Sequence, residues 1–208
     1  MARKLHTSPR GSALYPHLTS PDTKFDPDGV YTSKLQIDAA AGAEFAAFLD
    51  QAMAASHAEA KKENPGKAKV KKADKPYSQE EDGSYTFNFK LKAKGKTREG
   101  EIFTQRPAIF DAKGNPLTDC RIGGGSTLRV SFQIIPFYTS LIGAGISLRL
   151  KAVQVLDLVE WGVAKADYYG FDEEEGFDAS EASEANPFEE ESENEAQSGD
   201  EPEAKFDF

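Results

Sequence analysis

The chain has 208 residues, which is room for one substantial domain with an appendage. Its formal net charge of -10 is unevenly spread: residues 170–208 hold 16 acidic side chains and one basic one, whereas residues 1–169 hold 19 acidic and 24 basic. A single cysteine rules out an internal disulfide and a cysteine-based zinc site, and no apolar run is long enough to span a membrane. We therefore expect a reducing, cytoplasmic setting.

The first predicted elements are an arm, a strand and a helix. Residues 1–27 contain four prolines and are predicted to form an extended, loop-rich arm. Residues 30–37 are predicted to form a strand. Residues 42–62 are predicted to form the one helix, because apolar side chains recur there on a single face at helical spacing. That face consists of Phe45, Phe48, Leu49, Ala52, Met53 and Ser56.

Residues 61–75 are rich in lysine and contain seven of them. One interpretation is a solvated surface loop. The other is a mobile basic loop close to a phosphate backbone. The sequence alone leaves both interpretations open.

The pattern that follows has a period of two, which is typical of β-strands. In residues 85–94, aromatic and aliphatic side chains alternate with polar and basic ones. A return strand is predicted at 101–111, where Pro107 indicates an edge or a bulge. Two longer strands are predicted over 128–134 and 146–158.

These segments predict a mainly β fold of five strands, with one amphipathic helix inserted after the first strand. A five-stranded Greek-key barrel of the OB type, with the helix plugging it, is the natural candidate. A β-sandwich with an appended helix fits the periodicity nearly as well.

The residue types that support catalysis or metal binding are scattered. His6, His17 and His57 form no pair at metal-ligand spacing, and Cys120 has no neighbouring histidine that would activate it. The glycines at 123–125 are not followed by the lysine of a phosphate-binding loop. We therefore predict that the protein is not an enzyme and needs no cofactor or metal.

The basic residues of the predicted strands suggest nucleic-acid binding. Proteins that hold single strands without sequence preference need a positive groove for phosphates and flat side chains on which bases stack. Outward positions carry Lys90, Lys92, Lys94, Arg129, Arg149 and Lys151, and Phe137 and Tyr138 follow a proline that interrupts strand regularity. The alternative is that the cations only solubilise the fold and that Phe137 belongs to the core.

Residues 170–208 are predicted to be a disordered acidic tail, because their composition cannot build a core. The tail ends in Phe206, Asp207 and Phe208, which place two aromatic rings beside the terminal carboxylate. Such a tail can occupy the basic groove of its own body, or it can bind basic pockets on partner proteins. A solvated tail without a specific role is the third possibility.

Several short motifs match a known family in the same order along nearly the whole chain. They are Met1-Ala2-Arg3-Lys4, Gly29-Val30-Tyr31, Tyr85-Thr86-Phe87-Asn88-Phe89-Lys90, Ile122-Gly123-Gly124-Gly125-Ser126-Thr127-Leu128, Ile135-Pro136-Phe137, Gly143-Ala144-Gly145-Ile146-Ser147-Leu148 and Asp207-Phe208. With these motifs the chain resembles the replicative single-stranded DNA-binding proteins of short-tailed lytic bacteriophages. The glycine-rich segment and the Asp-Phe terminus are the most specific.

The resemblance implies an OB-fold that coats single-stranded DNA during replication and recombination and promotes strand annealing. It implies an acidic tail that contacts the phage DNA polymerase and helicase-primase, a role that falls by position on Phe208. It also implies that Phe137 stacks on bases and that Arg3 is a basic contact. Asp28 departs from the family, in which a relative has an arginine at this place. If that arginine contacts DNA, the resemblance implies that the contact is missing here or is supplied by another residue such as Lys24.

We therefore expect a single-stranded DNA-binding OB domain at 1–169 and a disordered tail at 170–208, acting in replication, recombination and repair in the cytoplasm of an infected bacterium. Homodimers are expected, because a tail can fill the groove of a neighbouring copy. The alternative is an adaptor or DNA mimic that works through its tail, with a body that does not bind nucleic acid. The residues themselves do not separate DNA from RNA; only the resemblance favours DNA.

Overall fold

The computed structural model describes residues 4–65, 70–97, 100–118 and 120–160. Within these ranges the chain forms ten strands and one helix. In chain order they are β1 (Leu5–Thr7), β2 (Gly11–Asp22), β3 (Val30–Ile37), α1 (Ala39–Glu63), β4 (Tyr77–Gln79), β5 (Tyr85–Lys92), β6 (Lys94–Lys96), β7 (Ile102–Thr104), β8 (Ala108–Phe110), β9 (Thr127–Thr139) and β10 (Gly143–Asp157). The prediction of a mainly β fold with one helix is confirmed.

Five of the strands are connected in a closed circuit of hydrogen-bonded pairs. β2 pairs with β3, β3 with β5, β10 with β9, and β9 with β2, all antiparallel. The circuit is closed by β5 and β10, which run parallel. Three short strands pair with members of the circuit: β1 with β9, β4 with β5, and β8 with β10. β6 and β7 form a separate two-stranded ribbon.

The N-terminal segment corrects the prediction of a loop-rich arm, because it contains β1 and β2. Pro16 is tolerated in β2 because it lies in a bulge, between the pairs Leu14–Lys34 and His17–Thr32, where no ladder hydrogen bond is lost. The helix consequently follows the third strand and not the first. The circuit has five strands, the number that was predicted, but its members differ from the prediction. It includes β2, and it does not include the return strand predicted at 101–111.

The return strand predicted at 101–111 is also corrected, since it consists of two short strands. β7 pairs with β6, and β8 pairs in parallel with the far end of β10. Pro107 lies in the interruption between them, because it has no backbone N–H to donate to a ladder.

The core lies between the inward faces of the circuit and the apolar face of α1. Phe87, Phe89 and Phe132 are completely buried, as the strand alternation predicts. The ring of Phe45 on α1 lies 4.6 Å from that of Phe87 and 5.7 Å from that of Phe132, so the helix covers this aromatic cluster. Asp38 begins the helix by accepting hydrogen bonds from the backbone N–H groups of residues 40 and 41.

Candidate nucleic-acid interface

Two cations predicted from the sequence are brought side by side on the outside of the circuit. Arg149 on β10 is the register partner of Lys90 on the parallel strand β5, and both side chains are exposed. Lys90 is in turn opposite Thr32 on β3. Because register partners in a sheet share a face, these residues lie in one row across three strands.

Two more lysines lie on this same outer surface. Lys34 on β3 is opposite Asn88, and Lys92 on β5 is opposite Val30. We call the exposed set Lys34, Lys90, Lys92 and Arg149 the basic face. Lys34 was not singled out from the sequence, although its place two residues after Thr32 in an alternating strand was the signal.

The basic face is only partly neutralised. The ammonium Nζ of Lys92 lies 3.6 Å from Oδ2 of Asp26. Among the residues that the structure describes, no carboxylate forms an ion pair with Lys34, Lys90 or Arg149. These three cations are therefore available to an external anion such as a phosphate.

Phe137 lies on the same face of the β9–β10 ladder as Arg149. It is opposite Gly145, and Gly145 and Arg149 are four residues apart on an uninterrupted stretch of β10, or about 13 Å. A Cβ placed on Gly145 would lie 3.0 Å from Cζ of Phe137, so the ring lies across this glycine. Phe137 is half-buried, which leaves part of the ring accessible to a base.

The remaining predicted residues are spread over other parts of the surface. Tyr138 is opposite Ala144 and therefore lies on the other face of the ladder from Phe137. Lys94 is on the β6–β7 ribbon, and Lys151 lies at the bulge where β10 leaves β5. Arg129 borders a recess beside the start of α1. Arg3, Phe206, Asp207 and Phe208 lie outside the described residues, as does the predicted tail.

In the lysine-rich segment, residues 70–75 are held in place by contacts at both of their ends. The backbone of residues 71 and 73 exchanges two hydrogen bonds with Ala144 at the start of β10. Lys75 donates to Tyr77 and forms an ion pair with Asp50 at 2.9 Å. The hydrogen bonds with Tyr77 and then with Asp50 raise the pKa of the Lys75 ammonium. The ammonium group of Lys75 is thus occupied by contacts within the chain.

Exposed aromatic side chains outside the predicted set were missed by the sequence reasoning. Tyr15 on β2 is 79% exposed and Phe25 in the following loop is 86% exposed. Nζ of Lys24 lies 5.4 Å from the centre of the Phe25 ring. The prediction of an extended, loop-rich arm at residues 1–27 left these positions out, because that prediction assigned no strand on which the exposure of a side chain could be inferred.

The histidines are separated in the structure, with His6 on β1, His17 on β2 and His57 on α1. In the described ranges no three histidine, cysteine or carboxylate side chains are grouped closely enough to hold a metal ion. No helix in those ranges is both long and apolar enough to cross a membrane.

Comparison with known proteins gives a consistent result. Residues 11–158 match the family described as single-stranded DNA-binding protein, bacteriophage T7. The single-stranded DNA-binding protein of Escherichia phage T7 is 30% identical over 200 residues, covering 85% of each chain. The crystal structure of gp2.5, a single-stranded DNA-binding protein encoded by bacteriophage T7, superposes with a TM-score of 0.70 at 28% identity, covering 86% of this chain and 100% of that one.

A more distant structure has the same fold. The single-stranded DNA-binding protein of bacteriophage Enc34, in complex with single-stranded DNA, superposes with a TM-score of 0.54 at 15% identity, covering 76% of this chain and 89% of that one. The resemblance to the single-stranded DNA-binding proteins of short-tailed lytic bacteriophages is confirmed by the family match and the T7 relative. The chain belongs to the family of the bacteriophage T7 single-stranded DNA-binding protein.

Proposed function

We propose that this chain is a non-catalytic protein that binds single-stranded DNA on the basic face, without strong sequence preference, during phage DNA replication. The observation that carries the proposal is the pairing of Arg149 with Lys90, with Phe137 on the same face of the sheet. Relatives named as single-stranded DNA-binding proteins support it.

The chemistry of the basic face fits a single strand better than a duplex. Cations in a row attract phosphates without reading sequence, and the binding is driven by the release of counterions. An accessible ring such as that of Phe137 can stack on any base, since every base has a π-face, but only a base free of its complementary strand. The combination selects unpaired nucleic acid and tolerates any sequence.

The closed circuit of strands supports a finer proposal about the fold. Numbering its members 1 to 5 along the chain as β2, β3, β5, β9 and β10, their order around the circuit is 1-2-3-5-4, with a parallel contact between the third and the fifth. We propose that this arrangement is a five-stranded OB-type barrel, whose outer face on its central strands binds oligonucleotides in other members of the class.

The finer biological roles are part of the same proposal. A domain at 1–169 would bind DNA, take part in recombination and repair and promote annealing, while the acidic tail at 170–208 would recruit the phage DNA polymerase and helicase-primase through Phe208. The net charge of -15 on residues 170–208 and of +5 on residues 1–169 supports a DNA-binding domain and a tail that binds other proteins. Homodimers that exchange tails would form in the host cytoplasm; their mass in light scattering should fall with added salt, and removal of the tail should abolish them.

The test is a titration of the full-length protein with a labelled deoxythymidine oligonucleotide, the matching DNA duplex and a uridine oligonucleotide of equal length. The proposal expects tight binding of the single DNA strand and much weaker binding of the duplex. Absence of single-strand binding at low salt would overturn it and favour the adaptor or DNA mimic that acts through the tail. Preference for the uridine oligonucleotide would reassign the ligand to RNA.

A further inference from the structure

A groove of about 790 Å³ lies beside β2, away from Phe137. One wall is the middle of β2, and the other is the glycine-rich segment that precedes β9. The groove is lined by Leu14, Tyr15, His17, Thr19, Arg121 and Gly124, among others. Its lining is more apolar than polar, and Arg121 is exposed at its edge.

The backbone of β2 aims Tyr15 away from the core. Leu14 is opposite Lys34 and His17 is opposite Thr32, so the two residues between them face one residue of β3 in a bulge. Tyr15 has a φ of +49°, a left-handed conformation that is uncommon for a bulky residue and costs free energy. Bulges commonly redirect a side chain, and here the ring is 79% exposed.

The exposed ring of Tyr15 has no use in packing. Among the described residues it contacts no other aromatic ring and no cation, unlike Phe25, whose ring lies beside Lys24. A strained backbone that presents a large flat side chain to solvent costs stability without a return from the core. Such outliers are concentrated at binding sites.

The opposite wall of the groove is firmly held. Gly125 has a φ of +89° and its backbone N–H donates to the carbonyl of Ala13 on β2. The buried hydroxyl of Ser126 donates to the carbonyl of Gly123 and accepts from the N–H of Val159. The glycine-rich segment is therefore a rigid wall, and the gap between it and Tyr15 is preformed.

The groove is continuous with the basic face. His17 lines the groove and is opposite Thr32, which is opposite Lys90, which is opposite Arg149. Three strand spacings separate His17 from Arg149, or about 14 Å, which a few nucleotides can span. The row of residues that contains Arg149 and Lys90 therefore ends at His17, which lines the same groove as Tyr15.

We propose that Tyr15 is a second stacking platform, on which a base of single-stranded DNA lies in the groove while Arg121 binds a neighbouring phosphate. This inference rests on the proposed function and extends the DNA path beyond the basic face. Arg121 and the row through Lys90 attract DNA and an acidic peptide alike. The exposed ring of Tyr15 favours DNA, because a peptide has no row of bases to stack on it.

The test uses full-length protein and a series of deoxythymidine oligonucleotides of increasing length. Tyr15→Asn removes the ring but keeps a residue that tolerates positive φ, and Tyr15→Phe is the matched control that keeps the ring. For long oligonucleotides, Y15N should bind roughly 5- to 150-fold more weakly, as expected for one lost stacking contact, and Y15F as wild type. For the shortest oligonucleotides that still bind, which reach only the basic face, Y15N should match wild type.

A fluorescent reporter separates stacking from a structural effect. Trp161 is the chain's single tryptophan, so a Y15W/W161F variant has its only indole in the groove. Long oligonucleotides should quench its emission, and the shortest should not. Y15N with unchanged affinity at every length, or an unquenched reporter, would overturn this inference while leaving the proposed function intact. If the emission is quenched in the absence of DNA and added salt removes the quenching, the groove is occupied by an acidic protein segment and the inference is wrong.

Discussion

Arg149 and Lys90 are register partners across the parallel strands β10 and β5, and their two exposed positive charges lie side by side. Like charges at directly opposite positions in a sheet destabilise it. Among the described residues neither cation has a carboxylate partner that would relieve this repulsion. A phosphate placed between them would relieve this repulsion, and for this reason we expect the pair to bind a phosphate of DNA.

Replacing either cation should weaken DNA binding without weakening the fold. At 50 mM salt, Arg149→Ala and Lys90→Ala are each expected to lose roughly tenfold in affinity for single-stranded DNA, since one phosphate contact and its released counterion disappear. Fluorescence anisotropy measures the affinity and thermal unfolding measures the fold. Lys113→Ala, at an exposed turn outside the basic face, is the matched control. Equal losses in all three variants would mean that only total charge matters.

Phe137 should contribute by stacking. Phe137→Leu keeps an apolar side chain over Gly145 but removes the aromatic face, and a loss of roughly 5- to 150-fold in affinity is expected. Phe137→Tyr should bind as wild type does. Both variants are compared in the same oligonucleotide titration, with thermal unfolding as the check on folding. If F137L and F137Y bind equally well, Phe137 is a packing residue and the stacking role is wrong.

Removing the acidic tail should tighten DNA binding. A chain truncated after residue 169 lacks 16 acidic side chains that compete with phosphates for the basic face, so its affinity should exceed that of the full-length protein at low salt. The difference should shrink as salt screens the competition. Titrations of both forms over a salt series measure it. A truncated protein that binds more weakly would show that the tail assists binding.

His6 should make folding stability sensitive to acid. Burial beside Phe48 and Phe132, followed by the charge of Lys4, lowers the pKa of His6 from its usual 6.5. The unfolded chain therefore binds this proton more readily, so stability is unaffected by His6 well above pH 6.5 and falls as the pH drops from there towards the lowered pKa.

His6→Phe keeps a ring in this position without a titratable group. Urea unfolding at pH 7.5 and pH 5.5 should show a larger loss of stability for the wild type than for this variant. An identical loss in both proteins would mean that His6 carries none of the acid sensitivity.

The strands with a strict period of two were predictable from the sequence. In β5, the alternation of Phe87 and Phe89 with Lys90 determines both the core and the basic face, because successive side chains point to opposite sides of a strand. The helix was predictable for the same reason, since Phe45 and Leu49 mark one face and Asn64 ends it. In both cases the local pattern and the tertiary packing agree.

The elements that were missed depend on long-range pairing. β2 has a proline within a bulge and becomes a strand only because β3 and β9 pair with it. The neighbourhood of Arg149 and Lys90, 59 positions apart in the sequence, is produced by a parallel contact that no local pattern encodes. The exposure of Tyr15 likewise follows from a bulge that only the register reveals.

The most direct test of the central claim is the salt dependence of single-stranded DNA binding by the wild type and by an Arg149→Ala/Lys90→Ala double variant. With about three phosphates neutralised by Lys34, Lys90 and Arg149, the logarithm of affinity should fall with the logarithm of salt concentration at a slope near -2, and the double variant should give about -0.7. A wild type that does not bind at low salt, or equal slopes for both proteins, would contradict the assignment of DNA binding to this face.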